Sequence, residues 1–430
     1  VLPSSRSSIQ FDKPQRWIAA LLFVMLLLNY LDRQVLSIVF VEMKKDLGFT
    51  QWQYTAAVNA FLAAYGVMYV GSGLILDRIG ARNGVALFVL LWSLVSALHG
   101  LVGGFTGLLV LRFLLGVTEP GGWTGAIKTV SERFTATQRG LANSIFTSGA
   151  GAGALIAPPA MVFLTQHYGW RSAFIVTGVC GLLWLPFWWR ASGLPSTTVV
   201  EPVKQRPAGA TLKELLRNRR ALAFAATRFF GDSTGYFLMF WLPQHLLQNK
   251  RFSFVLLGLV GWIPYLIKDV AAVFGGYLSS RMVAAGKPAV YSRKVMMSIA
   301  AVLVAAGAAL EHYDAPLLVF LCLLLTSFGM GMWSGNFHSI PGDAFPHRVV
   351  ATVHGLAGSC GAVGGVLFNT LVGYFMGTGQ VSAIFFTLAL LMPLGVLPLW
   401  LWVREDYVPE DPPAPPTDVS TDRDDTVLSA

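Results

Sequence analysis

Asn29-Tyr30-Leu31-Asp32-Arg33 sets an acid and a base in the middle of an apolar run spanning residues 17–40. The Leu, Ile, Val and Phe side chains of that run favour insertion into a bilayer by about 7 kcal/mol, and the central Asp and Arg oppose it by about 6 kcal/mol. The segment inserts with little to spare. A helix that only anchored the chain would gain nothing from this penalty, so Asp32 and Arg33 mark a functional site whose partners lie on other helices.

Composition extends the membrane reading to the whole chain. Charged residues make up 12% of it and hydrophobic residues 54%, whereas soluble domains carry about 25% charged residues. Apolar stretches long enough to cross a bilayer recur throughout. The expectation is an all-α membrane protein with twelve transmembrane helices in two six-helix bundles. The parts are an N-terminal segment over 1–16, a first bundle over 17–189, a linker over 190–220, a second bundle over 221–404 and an acidic, disordered tail over 405–430. The first apolar run is too long for a cleavable signal, so it is expected to remain as helix 1. A net charge of +9 does not point to nucleic acid, because the basic residues sit in short loops and form no face with interleaved aromatics. Most of the 31 Lys and Arg fall in the termini and the even-numbered loops, which puts both termini in the cytoplasm. Cys180, Cys322 and Cys360 lack metal or disulfide spacing and read as small core residues. No histidines pair at metal-binding spacing, so no metal site is expected.

Helix 2, over 52–76, runs into Gly73-Leu74-Ile75-Leu76-Asp77-Arg78-Ile79-Gly80-Ala81-Arg82. Gly73 is expected to let two helices approach closely, and Asp77, Arg78 and Arg82 to form a gating latch that breaks when the halves rock. A basic loop that only fixes topology is the plainer reading. Residues 275–281, Gly-Gly-Tyr-Leu-Ser-Ser-Arg, echo this loop some two hundred residues later, as a parallel repeat of six helices would.

Helix 4 carries Arg112 and Glu119 seven residues apart, nearly on one face, and they are the expected partners of Asp32 and Arg33. A network that only pins helix 1 to helix 4 is the alternative, but stability alone does not call for charges in lipid. Pro120 is expected to kink the helix beside the site. Gly149, Gly151 and Gly153 on helix 5 read as a close-packing face. In the second half, Arg228 and Asp232 at i and i+4 can neutralise one another, while Lys268 and Asp269 add two more intramembrane charges. Trp333 and Asn336 on helix 10 suit stacking on and hydrogen bonding to a sugar-like ring, although an interfacial aromatic belt explains the tryptophan almost as well. No nucleophile with its base is legible, so the chain does not read as an enzyme.

Tyr30-x-Asp32-Arg33, the gating loop, Arg112 with Glu119, and Glu132-Arg133 leading into Gly149 together resemble the anion:cation symporter family of the major facilitator superfamily. Phe240-Trp241-Leu242-Pro243, Asp269 with the 274–281 stretch, and Gly355-Leu356-Ala357-Gly358-Ser359 resemble its bacterial hexuronate transporters. The resemblance implies proton-coupled symport of a carboxylated sugar such as galacturonate or glucuronate. It implies that Asp32 and Glu119 carry protons, that Arg33 and Arg112 pair with them or with substrate, and that Tyr30 and Tyr65 line the cavity. Helix 5 has Thr147-Ser148-Gly149-Ala150 where a related galactonate carrier has a glutamine, which counts against aldonate specificity. The implied partners are a small anionic substrate and the lipid bilayer, with protons as coupling ion, no other cofactor, and a monomeric protein. Symport of another sugar acid is the alternative. An exporter of amphipathic compounds would favour an aromatic cavity with few fixed cations, and a sensor would need a signalling domain. The expected coupling step is that Glu119 takes a proton and loosens its hold on Arg112.

Overall fold

The computed structural model describes residues 11–134, 136–194, 212–249, 252–306, 315–345 and 350–403. Most of the expected N-terminal segment, most of the linker and all of the acidic tail therefore lie outside the described residues. Among the described residues the chain forms twelve membrane-spanning helices and no strand, and eight helices are long and apolar enough by themselves to cross a membrane.

Helix α1 is Lys13–Leu47. It begins at a capping box in which Asp12 accepts from the Gln15 amide at 2.8 Å and Gln15 accepts from the Asp12 amide at 3.1 Å, so two of the otherwise unpaired amides of the first turn are satisfied. It ends at Gly48, whose φ of 67° places it in the left-handed region that favours glycine. A second capping box, Thr50 with Gln53, starts the next helix after one tight turn. Gln51–Leu98 is helical throughout except at Gly80, with φ 79° and ψ 159°, and this break separates α2 (51–79) from α3 (81–98). Helix α4 comprises Phe105–Thr118 and Pro120–Arg133. The helices α5 (Ala136–Tyr168) and α6 (Trp170–Ser192) complete the first half.

In the second half α7 comprises Arg219–Phe240 and Leu242–Asn249, and α8 comprises Phe254–Val260 and Ile263–Ala284. They are followed by α9 (Ala289–Ala305), α10 (Pro316–Phe337), α11 (Val350–Thr378) and α12 (Val381–Trp402). Breaks at Glu119, Trp241 and 261–262 interrupt spans that apolar periodicity alone reads as continuous. Cys180 is exposed, not core as expected, because the outer surface of such a bundle faces lipid and welcomes small apolar groups.

Small residues set the helix spacing. A Cβ on Gly149 or Gly153 would collide with the backbone carbonyls of Phe23 or Leu27, so α5 lies directly on α1, as its glycine pattern suggests. Gly151 points the other way, against the Asp269 carboxylate of α8. Indole nitrogens add cross-ties: Trp184 donates to the Leu21 carbonyl at 3.0 Å and Trp188 to that of Arg82 at 2.9 Å.

The two halves meet along α5 and α8 and along α2 and α11, and the polar contacts of the α2–α11 seam lie toward the face opposite Lys13. There Gln244 donates to Gln51 at 2.6 Å, Asn59 to Thr370 at 2.7 Å and Asn369 to Asn59 at 2.6 Å, while the Tyr54 hydroxyl donates to the Phe240 carbonyl. A Cβ on Gly66 would lie 2.9 Å from that of Ala362. Two turns further toward the N-terminal face, nothing lies within 4 Å of a Cβ built at Gly73, nor at Gly355 on α11. The close approach expected at Gly73 is thus absent in this conformation, and Gly66 makes it instead. The α2–α11 seam is therefore closed toward one face and open at Gly73 and Gly355 toward the other.

Replacing Gly153 with Val should force α1 and α5 apart at a cost of about 1–3 kcal/mol. A lower melting temperature of the detergent-purified variant is the expected result, and an unchanged one would show that the α1–α5 seam can relax.

Candidate functional site

Glycines bring the charged residues together. Gly116 on α4 sits against the Phe61 carbonyl of α2, and Gly121 and Gly122 against the rings of Phe88 and Trp92 on α3. This draws the middle of α4 into the first bundle. Pro120 has no amide hydrogen to continue the helix, so the hydrogen-bond ladder is interrupted beside Glu119 while its backbone stays helical, with φ −64° and ψ −37°, and the Glu119 side chain reaches α1.

Arg33 grips it. Its Nε and Nη2 donate to Glu119 Oε2 at 2.9 and 2.8 Å, and Nη2 reaches Asn29 Oδ1 at 3.4 Å. The guanidinium carbon lies 4.9 Å from the Tyr30 ring centre, 4.7 Å from that of Tyr65 and 5.7 Å from that of Phe61, so aromatic faces cover the cation where protein hydrogen bonds do not. The Arg33 and Glu119 side chains are 8% and 0% exposed. Such a pair needs its geometry: breaking one partner of a buried ion pair costs about 3–5 kcal/mol.

The expected pairing of Glu119 with Arg112 does not occur. Seven residues along a helix are about 10.5 Å apart even on one face, so the two side chains share an azimuth without touching, and Arg33 on the neighbouring helix takes the carboxylate. Arg112 is buried beneath the Phe174 ring, 5.9 Å from its centre. Its Nε and Nη2 lack hydrogen-bond partners. Asp32 points away from Arg33, into the same interior, and accepts from Ser96 at 2.7 Å through Oδ1 while Oδ2 is unpartnered. His99, stacked on the other side of this region against Phe174 at 5.1 Å, leaves Nε2 without a partner. Each of these unpaired atoms raises the free energy of the buried interior unless a proton or a water meets it.

Facing Arg33 across the junction is a stripe on α7 at four-residue steps: Arg228, Asp232, Tyr236 and Phe240. It opposes Phe61, Tyr65 and Tyr69 on α2. Phe61 meets Phe240 edge to face at 6.2 Å, Tyr65 and Tyr69 lie 6.0 Å apart, and Tyr236 stacks on Phe240. Arg228 donates to Asp232 at 2.8 Å, the i,i+4 pair expected from spacing.

The remaining expected residues fall elsewhere. Trp333 and Asn336 are buried in the second half, away from the junction. A Cβ on Gly231 would lie 2.9 Å from the Trp333 indole nitrogen and one on Gly395 3.2 Å from its ring, and Asn336 donates to the Met332 carbonyl of its own helix at 2.9 Å. Neither presents a surface to a sugar ring here, because their side of α10 turns toward α7 and α12. Lys268 and Asp269 are half-buried, with Asp269 against α5. Of the gating residues, Arg78 is exposed, and Arg82 turns within its own half, donating to the Trp189 carbonyl at 3.2 Å with its cation 5.1 Å from that indole. The Asp77 side chain lies outside what the structure describes. Among the described residues no group of three metal-ligating side chains comes together.

Sequence reasoning quoted Asn29 without giving it a role and missed Ser96, Tyr69 and Tyr236. Asn29 and Tyr69 stand four residues from Arg33 and Tyr65, which is a usable signal, and Tyr236 continues the Arg228-Asp232 step. Nothing in the sequence marks Ser96.

Comparison with known proteins agrees with this architecture. Residues 22–369 match the Major Facilitator Superfamily. The hexuronate transporter of Escherichia coli (strain K12) is 28% identical over 409 residues, covering 90% of this chain and 94% of that protein. The galacturonate transporter of Dickeya chrysanthemi is 27% identical over 327 residues, covering 72% and 95%. A probable galactarate/D-glucarate transporter of Bacillus subtilis (strain 168) is 26% identical over 421 residues, covering 88% and 92%. Among solved structures, a bacterial homologue of the human lysosomal transporter Spinster, inward-facing and unoccupied, shares the fold with a TM-score of 0.71 at 17% identity, covering 92% of this chain and 96% of that one. With twelve helices in two halves around a charged central junction, the chain belongs to the major facilitator superfamily of membrane transporters, and it is not an enzyme.

Proposed function

We propose that the protein imports a sugar acid, a hexuronate such as galacturonate or glucuronate, together with protons, by alternating access across a bacterial inner membrane. The observation that carries this reading is the Arg33–Glu119 pair at the junction of the halves, covered by Tyr30 and Tyr65. Relatives whose names specify hexuronate, galacturonate and galactarate/D-glucarate transport support the substrate class. Both termini are cytoplasmic in this reading, so the separated face is the cytoplasmic one and the conformation is inward-facing. No cofactor is required, because protons supply the driving force, and one chain holds the complete site.

The pair explains coupling without further parts. When the cavity opens outward, a proton on Glu119 removes the charge that holds Arg33, and the guanidinium turns to the substrate carboxylate, which it matches with a planar fork. Substrate and proton thus enter together. After the halves rock, substrate leaves to the cytoplasm, Glu119 gives up its proton, and Arg33 closes on it again, the arrangement described above. Arg112 replaces no partner in this cycle. It balances Asp32 inside the first bundle, where Asp32 carries a second proton on the same logic. Asp77, Arg78 and Arg82 form their latch only when the cytoplasmic face closes.

Glu119→Gln imitates the protonated acid. It should bind and exchange hexuronate across proteoliposome membranes yet fail to accumulate it against a gradient. Accumulation with the parent's dependence on external pH would remove Glu119 from coupling. Glucose should compete at least tenfold less well than glucuronate, since a neutral isostere leaves a freed arginine uncompensated; equal competition would overturn the anion reading.

A further inference from the structure

The coupling cycle leaves the Arg228–Asp232 pair without a task, and its surroundings are unlike those of Arg33 and Glu119. Its side chains are 20% and 30% exposed, against 8% and 0%. Arg228 Nε donates to Asp232 Oδ2 at 2.8 Å and Nη1 reaches the His354 carbonyl at 3.4 Å. Among the described residues, Nη2 and Asp232 Oδ1 make no hydrogen bond. The pair is also built in. A Cβ on Gly361 would collide with the Asp232 carboxylate and lie 3.0 Å from Arg228 Cγ, and one on Gly358 would lie 3.4 Å from Arg228 Nη1 and 3.9 Å from Tyr69 Cε1. Two glycines on α11 thus clear a seat for the pair, and Tyr69 of the opposite half leans over it.

A donor and an acceptor held side by side, with no net charge, are poorly suited to a second carboxylate. They are well suited to neighbouring hydroxyls, each of which can accept from Nη2 and donate to Oδ1 in charge-assisted bonds. We propose that Arg228 and Asp232 form a second subsite that takes the hydroxyls of the sugar body, while Arg33 takes the carboxylate. The first half then reads charge and the second half reads hydroxylation. The inference rests on the sugar-acid reading above and adds the residues that set its specificity. It also gives a reason for the two halves to close on the substrate, because each end of one small molecule is held by a different half.

The test compares binding of galacturonate and of cyclohexanecarboxylate, which has the same charge and a six-membered ring without hydroxyls, to the purified full-length protein. The parent should favour galacturonate at least about tenfold, as sites built to hydrogen-bond hydroxyls do. The double variant Arg228→Gln/Asp232→Asn keeps a neutral, hydrogen-bonding pair of similar size, so no buried charge is stranded. It should lose about tenfold or more in galacturonate affinity and keep its affinity for cyclohexanecarboxylate, which also shows that it is folded. Arg33→Gln should weaken both ligands. An equal loss of both ligands in the double variant, or no loss of galacturonate, overturns the proposal. A parent that binds neither acid overturns the sugar-acid reading itself, and the subsite with it.

Discussion

Everything in this molecule is arranged around one buried carboxylate and one buried guanidinium. Removing either from water costs several kcal/mol, and the cost is met only if the two meet in good geometry and their remaining groups are covered. Arg33 and Glu119 satisfy this with two bonds to one oxygen and aromatic rings around the cation. The glycines of α4, the helix break at Glu119 and the tyrosines of α1 and α2 all serve that fit. The fit is also incomplete, since Glu119 Oε1 has no partner. A site satisfied in every respect would be a structural pin. One left short still has an acceptor to offer to a donor.

The interior beside it is more polar than packing alone requires. Asp32, Ser96, His99 and Arg112 converge from α1, α3 and α4 with unpaired atoms on three of the four. The second half presents its polar groups on the surface of the junction. The halves repeat one another in topology and differ in chemistry.

Much of this was legible beforehand, for identifiable reasons. The spans follow from hydropathy, the repeat from the paired loops, and Arg33 and Glu119 from the expense of charge in lipid. The partnership of helix 1 with helix 4 was legible too, but not that Arg33 alone takes Glu119: Arg112 and Glu119 share a face by periodicity, and axial distance and the neighbouring helix decide contact. Trp333 misled for a related reason. Helix α10 is apolar on nearly every side, so its sequence carries no direction, and only packing against Gly231 and Gly395 turns the indole inward. Breaks such as the one at Trp241 leave no hydrophobic signature at all.

The seam that shuts one face of the molecule sets amides and hydroxyls, Gln51 with Gln244 and Asn59 with Asn369 and Thr370, beside packed rings such as Tyr54 on Trp241, and among the described residues no ion pair crosses it. Parting such a seam trades each bond for one to water, at a net cost of about 0.5–1.5 kcal/mol apiece. Ionic strength acts on charges and leaves these contacts untouched. The polar contacts on that side are therefore indifferent to salinity, and dilute or brackish surroundings leave them as they are.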